Sequence, residues 1–473
     1  MTPFMIHRSY RSYKTYRTYG MVFILISVLS AVGLVPAAET KPSRPNIVFI
    51  LADDLGYGDL GCYGQKRILT PNLDRMAAEG MRFTQFYAGS TVCAPSRCCL
   101  MTGLHTGHAT IRGNAEVPLR PQDITVAKVL KDTGYTTGLV GKWGLGEAGT
   151  TGVPNRQGFD AFYGYLNQVH AHNYYPDYLW KNQEKVTIEG NVVQGGVASK
   201  RAQYSPDLFT KEALAFVEQN REKPFFLYLA YTTPHANNER GAKEGNGMEV
   251  PSDAPYSDKP WPPVEKNYAA MVTRLDADVG RLLKRLKELG LDDNTIVFFS
   301  SDNGPHKEGG ADPKYFESAG PLRGFKRDLT EGGIREPMIV RWPGKVKAGA
   351  TTDQVGAFWD FLPTAAELAG AKTPAGLDGV SLTPTLLGVG KQAQHDFLYW
   401  EFHERGSQQA VRMGDWKALR LKPAGPLQLY DLKTDAGEVH DVAADHPDVT
   451  AKIAAYLKGA RTESATWPIR AGK

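Results

Sequence analysis

Cysteine is scarce in this chain: Cys62, Cys93, Cys98 and Cys99 are the only four in 473 residues, and all fall before residue 100. A disulfide framework spreads an even set of cysteines through a short exported chain, so that class is excluded, while a single pairing among Cys62, Cys98 and Cys99 stays open. No histidine or further thiol stands at zinc-ligand spacing from Cys98-Cys99, which argues against a thiolate metal or redox site. Apolar runs of spanning length are missing too. The run at residues 21–32 falls well short of the roughly 20 residues that a membrane helix needs. No cysteine closes that run, so neither a stable membrane anchor nor a lipid anchor is expected. Basic tracts are absent from the body of the chain, whose formal net charge is +4, so nothing points to nucleic acid or an anionic membrane as a partner.

What is present reads as a globular chain, 42% hydrophobic and long enough for one large core and a smaller one. Residues 8–19 alternate Tyr with Arg, Lys, Ser and Thr, the apolar run follows, and small residues stand at Ala37 and Ala38. That order is a secretory signal over 1–37, with Val35-Pro36-Ala37 as the processing point, so the protein is expected to be exported, periplasmic or secreted.

Short β-branched apolar runs at 46–51, 136–141, 225–231, 295–300 and 337–341 read as strands buried on both faces. Helical patterns lie between them at 71–79, 125–133, 205–219 and 266–289. Alternating strand and helix predicts an α/β fold: a mostly parallel sheet sandwiched by helices, over a catalytic domain at 43–385. The Gly- and Pro-rich stretch 374–394 marks the boundary. Beyond it, at 390–470, short strands at 396–400, 408–412, 416–421 and 427–431 and a helix at 449–458 predict a smaller antiparallel sheet with a covering helix. The segments 167–205 and 236–264 show no clear period and read as long binding loops or lids.

Asp53 and Asp54 follow the first strand, and Asp302 and Asn303 follow the strand at 295–300. Four oxygen-bearing side chains at two strand ends suit a hard divalent cation, Ca²⁺ in preference to Mg²⁺ because the set mixes carboxylate and amide. Each pair alone is also an ordinary turn sequence. Cys93 opens the pattern C-x-P-S-R-x-x-x-x-T-G, and a cysteine at a helix start is commonly just a small buried hydrophobe.

Taken in order, Asp53-Asp54, Cys93 to Arg97, Gly141-Lys142-Trp143, Pro234-His235, Asp302-Asn303-Gly304 and Lys326 ahead of Glu331-Gly332-Gly333-Ile334-Arg335-Glu336-Pro337 resemble type I sulfatases of the alkaline phosphatase superfamily across 45–344. The resemblance implies an alkaline phosphatase-like fold and hydrolysis of a sulfate ester, with a sulfated glycan as the expected substrate and a small sulfate ester as the other substrate form. It implies that a formylglycine-generating maturation enzyme converts Cys93 to Cα-formylglycine, and that Asp53, Asp54, Asp302 and Asn303 bind Ca²⁺ with an oxygen of the modified Cys93. One hydroxyl of the aldehyde hydrate would attack sulfur, and the second would then collapse to release sulfate. Arg97 would hold the nucleophile and metal ligands, Lys142 and Lys326 would neutralise the transferring group, and His235 or Lys326 would protonate the leaving alcohol.

The chain departs from the family at Gly144, where many sulfatases carry histidine. His170, His172 and Asn173 offer replacements, and His172 is the preferred substrate-binding candidate. Tyr165, Tyr174, Tyr175, Trp180 and Trp261 are candidate sugar platforms, and His108 and Arg112 candidate anion contacts. The competing readings are a phosphodiester or phosphonate ester hydrolase of the same superfamily and an inactive glycan-binding homologue.

Overall fold

The computed structural model describes residues 11–18, 20, 44–404 and 406–470. The apolar run and processing point of the expected signal lie outside the described residues. Among the described residues no helix is long and apolar enough to cross a membrane.

The central sheet starts with β1 (Asn46–Asp53), β2 (Met81–Tyr87), β3 (Thr136–Lys142), β4 (Ala161–Tyr165), β5 (Tyr178–Lys181) and β6 (Glu184–Thr187). A separate hairpin, β7 (Val192–Gln194) with β8 (Val197–Lys200), intervenes. The sheet resumes with β9 (Phe225–Pro234), β10 (Thr295–Ser301), β11 (Arg335–Arg341), β12 (Ala350–Thr352) and β13 (Gly356–Ala357). Strand order is β12-β2-β11-β10-β1-β9-β3-β4-β5-β6, with β13 also on β2. The run β10-β1-β9-β3-β4 is parallel, as the alternating pattern predicts. The strand expected at 337–341 runs antiparallel to both neighbours.

Strand β1 shows why helices must cover both faces. Ile47, Phe49 and Leu51 enter one core and Val48, Ile50 and Ala52 the other, because successive side chains alternate across a strand. Helices α1 (Pro71–Ala78), α4 (Ser205–Gln219) and α6 (Pro263–Glu288) cover the second face through Leu73, Phe209 and Leu275. Helices α2 (Cys93–Thr102), α3 (Val126–Asp132) and α8 (Phe361–Leu368) cover the first through Leu100, Leu130 and Leu362. The remaining short helices are α5 (Asn238–Glu244), α7 (Glu331–Ile334) and α9 (Thr383–Leu387). Helix α6 begins at Pro263 rather than Lys266, since proline costs nothing in the first turn, where its missing N–H has no partner anyway. It stops before Gly290, whose φ of +69° turns the chain left-handed.

The C-terminal part is the expected meander β14 (Leu398–Phe402), β15 (Gln408–Met413), β16 (Trp416–Arg420) and β17 (Gln428–Asp431) with α10 (Pro447–Leu457). One face, with Tyr399, Val411 and Leu429, packs on Ile453 and Leu457 of α10. The other, with Trp400, Ala410 and Tyr430, joins the core of the main sheet.

Candidate active site

The parallel strands end together, and the candidate residues stand at or just beyond those ends. Asp53 closes β1, Lys142 closes β3, Pro234 closes β9 ahead of His235, and Ser301 closes β10 ahead of Asp302 and Asn303. Crevices at the carboxyl ends of parallel strands are where such folds bind ligands. Asp54 takes φ +66°, a left-handed turn that Asp tolerates better than most residues, and its N–H donates to Asp302 Oδ1 at 3.1 Å.

Cys93 opens α2 with its side chain buried, and Sγ stands 3.5 Å from Asp53 Oδ1. Arg97 follows one turn later on the same side of the helix, as the i, i+4 spacing requires. Its Nε and Nη2 both reach Asp302 Oδ2, at 3.0 and 2.7 Å, and its Nη1 donates to the Lys142 carbonyl at 2.9 Å. Lys142 Nζ meets Asp53 Oδ2 at 2.7 Å. Lys326 Nζ meets Asp54 Oδ2 at 2.8 Å, His235 Nε2 at 3.0 Å and Glu308 Oε2 at 3.3 Å. All these cations are buried and each is matched to a named carboxylate.

His235 has a determined tautomer. Its Nδ1 lies 2.7 Å from the Ala236 carbonyl oxygen, which only accepts, so Nδ1 carries the proton and Nε2 presents its lone pair to Lys326. Burial, with the Lys326 cation beside it, pushes the imidazole down to about 3. Burial alone would raise Asp53, but Lys142, His235 and Arg97 together hold it well below the usual carboxylate range. Burial and the neighbouring Asp53 charge push Asp302 up to about 7 despite Arg97. Asp53, Asp54 and Asp302 therefore crowd together at the strand ends, each offset by one of the three buried cations Lys142, Lys326 and Arg97.

The donor set fits a hard cation. Asn303 Nδ2 is spent on Asp54 Oδ1 at 2.7 Å and the Gly304 carbonyl at 3.0 Å, while its Oδ1 is buried without a partner. Ligand atoms of Asp53, Asp54, Cys93 and His235 all lie within 4.8 Å of one another. An orphaned amide oxygen among crowded carboxylates is what oxygen-ligated Ca²⁺ or Mg²⁺ would satisfy.

Of the two loop histidines, His172 is at this site and His170 is not. The His172 ring stacks on His235, and Nδ1 contacts Glu239. His170 packs against Tyr165 and Tyr178 with neither ring nitrogen partnered, and burial pushes it down to about 4. Lys326 is separated from its basic neighbours: Arg327 pairs with Glu308 and Glu404, and Arg323 approaches Glu438.

Several expectations are corrected. Tyr165 and Tyr174 are fully buried, their hydroxyls donating to the carbonyls of Asn173 and of Thr232 and His235, so they brace the loop and cannot face a sugar. Arg112 is buried and pairs with Glu401, so it is not free to take an anionic ligand, and His108 spends its Nδ1 on Asp378. Glu308, Glu239, Asn114 and Gln168 belong to the site or its wall and carry no motif. Asn114 Oδ1 accepts the N–H of Ala94, fixing the start of α2. Gly144, at φ +77°, has Gln168 Nε2 only 2.0 Å from where a Cβ would stand, so Gln168 fills the space in front of it.

This fold and this crowded anionic and cationic crevice define a hydrolase of acidic esters, and the chain belongs to the sulfatase family: the sulfatase profile matches residues 45–371. It is a sulfuric ester hydrolase. A second profile, N-sulphoglucosamine sulphohydrolase C-terminal, matches residues 324–463. The rat N-acetylgalactosamine-6-sulfatase is 36% identical over 422 residues, covering 83% of this chain and 74% of its own length. Human arylsulfatase A is 34% identical over 467 residues, covering 88% of this chain and 86% of its own. The crystal structure of Ps i-CgsB in complex with k-i-k-neocarrahexaose superposes with a TM-score of 0.77 at 31% identity, over 90% of this chain and 95% of that one.

Proposed function

We propose that the protein removes sulfate from a sulfated carbohydrate, with Cys93 converted to formylglycine as the nucleophile and Ca²⁺ held by Asp53, Asp54, Asp302 and Asn303 together with the modified residue 93. The observation that carries this reading is the placement of Cys93, buried at the start of α2 with Sγ 3.5 Å from Asp53 Oδ1 at the ends of the parallel strands. Burial raises the thiol well above its ordinary range and Asp53 adds to the rise, outweighing Lys142. A nucleophilic cysteine needs the opposite shift, so an unmodified thiol here is a poor catalyst. An aldehyde hydrate supplies a hydroxyl nucleophile in its place. Bound Ca²⁺ would supply Lewis-acid polarisation and orientation of a sulfate oxygen.

The other roles follow from contacts. Asp53 Oδ1 lies 3.5 Å from Sγ at position 93 and would orient the attacking hydroxyl, while Asp302, pushed up to about 7, is the stronger base to accept its proton. Arg97 holds one oxygen of Asp302 and the Asp54 N–H the other. Lys142 and Lys326 bring positive charge to the transferring group, where fixed charges need no reorganisation. The departing alcohol takes its proton from the Lys326 Nζ and His235 Nε2 pair, with Lys326 as the resting donor. The sugar assignment draws on the sugar-sulfate relative named above and on the carbohydrate bound in the structural neighbour. On this reading a leader over 1–37 directs export, 43–385 forms the catalytic domain and 390–470 its C-terminal companion.

The test is the mass of the proteolytic peptide carrying Cys93, from a host that converts a control sulfatase, paired with turnover of sulfated sugars and matched phosphate esters. Aldehyde at 93 with sulfate release supports the proposal. Unconverted thiol beside a converted control, or faster phosphate cleavage, defeats it. Conversion with binding but no turnover would return the inactive-homologue reading.

A further inference from the structure

A cavity of about 80 Å³ adjoins the catalytic residues, lined among others by Asn114, Glu116, Gly144, Glu147, Asn167 and Gln168. Its wall is tied to them at two points. Asn114 accepts the N–H of Ala94, next to Cys93, and Gly144 stands two residues after Lys142 in the chain.

The chemistry of this wall is one-sided. Asn167 spends its amide on both acids, donating to Glu116 Oε1 at 3.3 Å and Glu147 Oε1 at 2.9 Å. Its own Oδ1 accepts from the N–H groups of Val169 and His170, which locks the amide in place. Neither Glu116 nor Glu147 has an ion-pair partner among the described residues, so two carboxylates share one neutral bridge. Gln168 Nε2 is buried with no acceptor, and a buried donor left unpaired is costly. The wall thus holds one buried donor in need of an oxygen, beside two carboxylates, Glu116 exposed and Glu147 half-buried, that share a single amide.

We propose that this cavity is a subsite for an uncharged, hydroxyl-bearing part of the sugar, and that it discriminates against a second sulfate or a carboxylate at that position; this rests on the sulfated-carbohydrate reading above. An alcohol both donates and accepts, so one hydroxyl or hydroxymethyl group satisfies Gln168 and a glutamate together. A sulfate only accepts, and two facing carboxylates repel it. The empty side-chain position at Gly144 lets Gln168 reach this place, so the departure from the usual family residue becomes part of substrate selection.

The experiment uses the full converted protein and three substrate kinds: singly sulfated sugars, the same sugars with an added sulfate, and 4-nitrophenyl sulfate, which has no sugar. Wild type is expected to favour singly over doubly sulfated members. In Glu116→Gln with Glu147→Gln that preference is expected to narrow about 10-fold, the worth of a hydrogen bond to a charged group. In Gln168→Leu, kcat/KM on the singly sulfated sugar relative to 4-nitrophenyl sulfate is expected to fall about 10-fold, mainly through KM. Ratios are insensitive to loss of folded protein. Wild type without preference, or variants with both ratios unchanged, overturns the subsite. Wild type carrying the aldehyde but hydrolysing none of the three overturns the sulfatase reading itself, and the subsite with it.

Discussion

His172 and His235 lie ring over ring, their centroids 4.9 Å apart and their planes 14° from parallel. Glu239 holds the outer ring through Nδ1, and Lys326 meets the inner one through Nε2. The stack therefore fixes the plane in which His235 presents its lone pair. His172→Ala is expected to lower kcat/KM about 10-fold, the order of one aromatic contact beyond its burial. His172→Phe keeps the stack and should recover most of the loss. Equal rates for His172→Ala and wild type on a sulfated sugar would remove His172 from the site.

Lys326 is buried against Asp54, whereas Arg323 lies on the partly exposed side of the same loop. Lys326→Ala is expected to lower kcat by about 10²–10³, as removal of a group that stabilises developing charge does. Arg323→Ala should stay within about 3-fold of wild type, since an ion pair that exposed is worth roughly 1 kcal/mol at most. Steady-state kinetics on one sulfate ester compares the two, and the reverse ranking would show that the segment had been read in the wrong register.

Asn303 Oδ1, buried without a partner, gives the proposed Ca²⁺ its own readout. Ca²⁺ at about 100 times its dissociation constant should stabilise wild type by about 2.7 kcal/mol. Thermal unfolding with added Ca²⁺ and after chelation measures this directly. Asn303→Ala should unfold at nearly the same temperature in both conditions. A wild-type midpoint indifferent to Ca²⁺, Mg²⁺ and chelator would sink the cation site.

Much of the fold was legible because buried strands and amphipathic helices write their periods into the sequence. The strands at Asn46–Asp53 and Thr295–Ser301 and the helix Ser205–Gln219 stand where the runs of residue types put them. Strand Met81–Tyr87 was missed because Arg82, Thr84 and Gln85 break its apolar run on a half-exposed face. The hairpins within 178–200 were missed because strands of three or four residues are too short to show a period. At the site, most motif residues were legible because they close or directly follow a strand or lie at the start of a helix, whereas Lys326, in a loop, could be read only from its place ahead of Glu331-Gly332-Gly333. Glu308 and Gln168 were not legible, since a loop residue that reaches the site by tertiary contact leaves no spacing to read.

Position 144 tests how far Gln168 has taken over its space. Gly144 sits at φ +77°, and a Cβ there would meet Gln168 Nε2 at 2.0 Å. Gly144→His is thus expected to destabilise the fold by about 1–3 kcal/mol, from left-handed strain together with the forced movement of Gln168. Gly144→His with Gln168→Ala should recover the packing part and leave the strain. Denaturant unfolding of the two variants measures the coupling. Equal losses in both would show that Gln168 moves aside freely.

Glu401 ties the C-terminal sheet to the rest of the protein and sets an acid limit. Its carboxylate accepts from Arg112 at 3.1 Å, Arg461 Nε at 2.8 Å and the Tyr399 hydroxyl at 2.8 Å, and contacts His403 Nε2 at 3.1 Å. Burial raises the group, but the bond from His403, then Arg112 and Arg461, bring it down from 4.5 to about 2. A carboxyl lowered on folding stabilises the protein above its unfolded pKa, and that stability drains away as pH falls from 4.5 towards 2. At about 1.36 kcal/mol per pH unit the contribution is roughly 3 kcal/mol at neutral pH. Glu401→Gln should therefore be about 3 kcal/mol less stable than wild type at pH 7, close to what breaking a buried pair costs. The gap should close as pH approaches 2, because wild type then carries a neutral side chain as well. Urea unfolding at a series of pH values from 7 downwards measures the gap, and a gap independent of pH would mean that Glu401 acts through shape rather than charge.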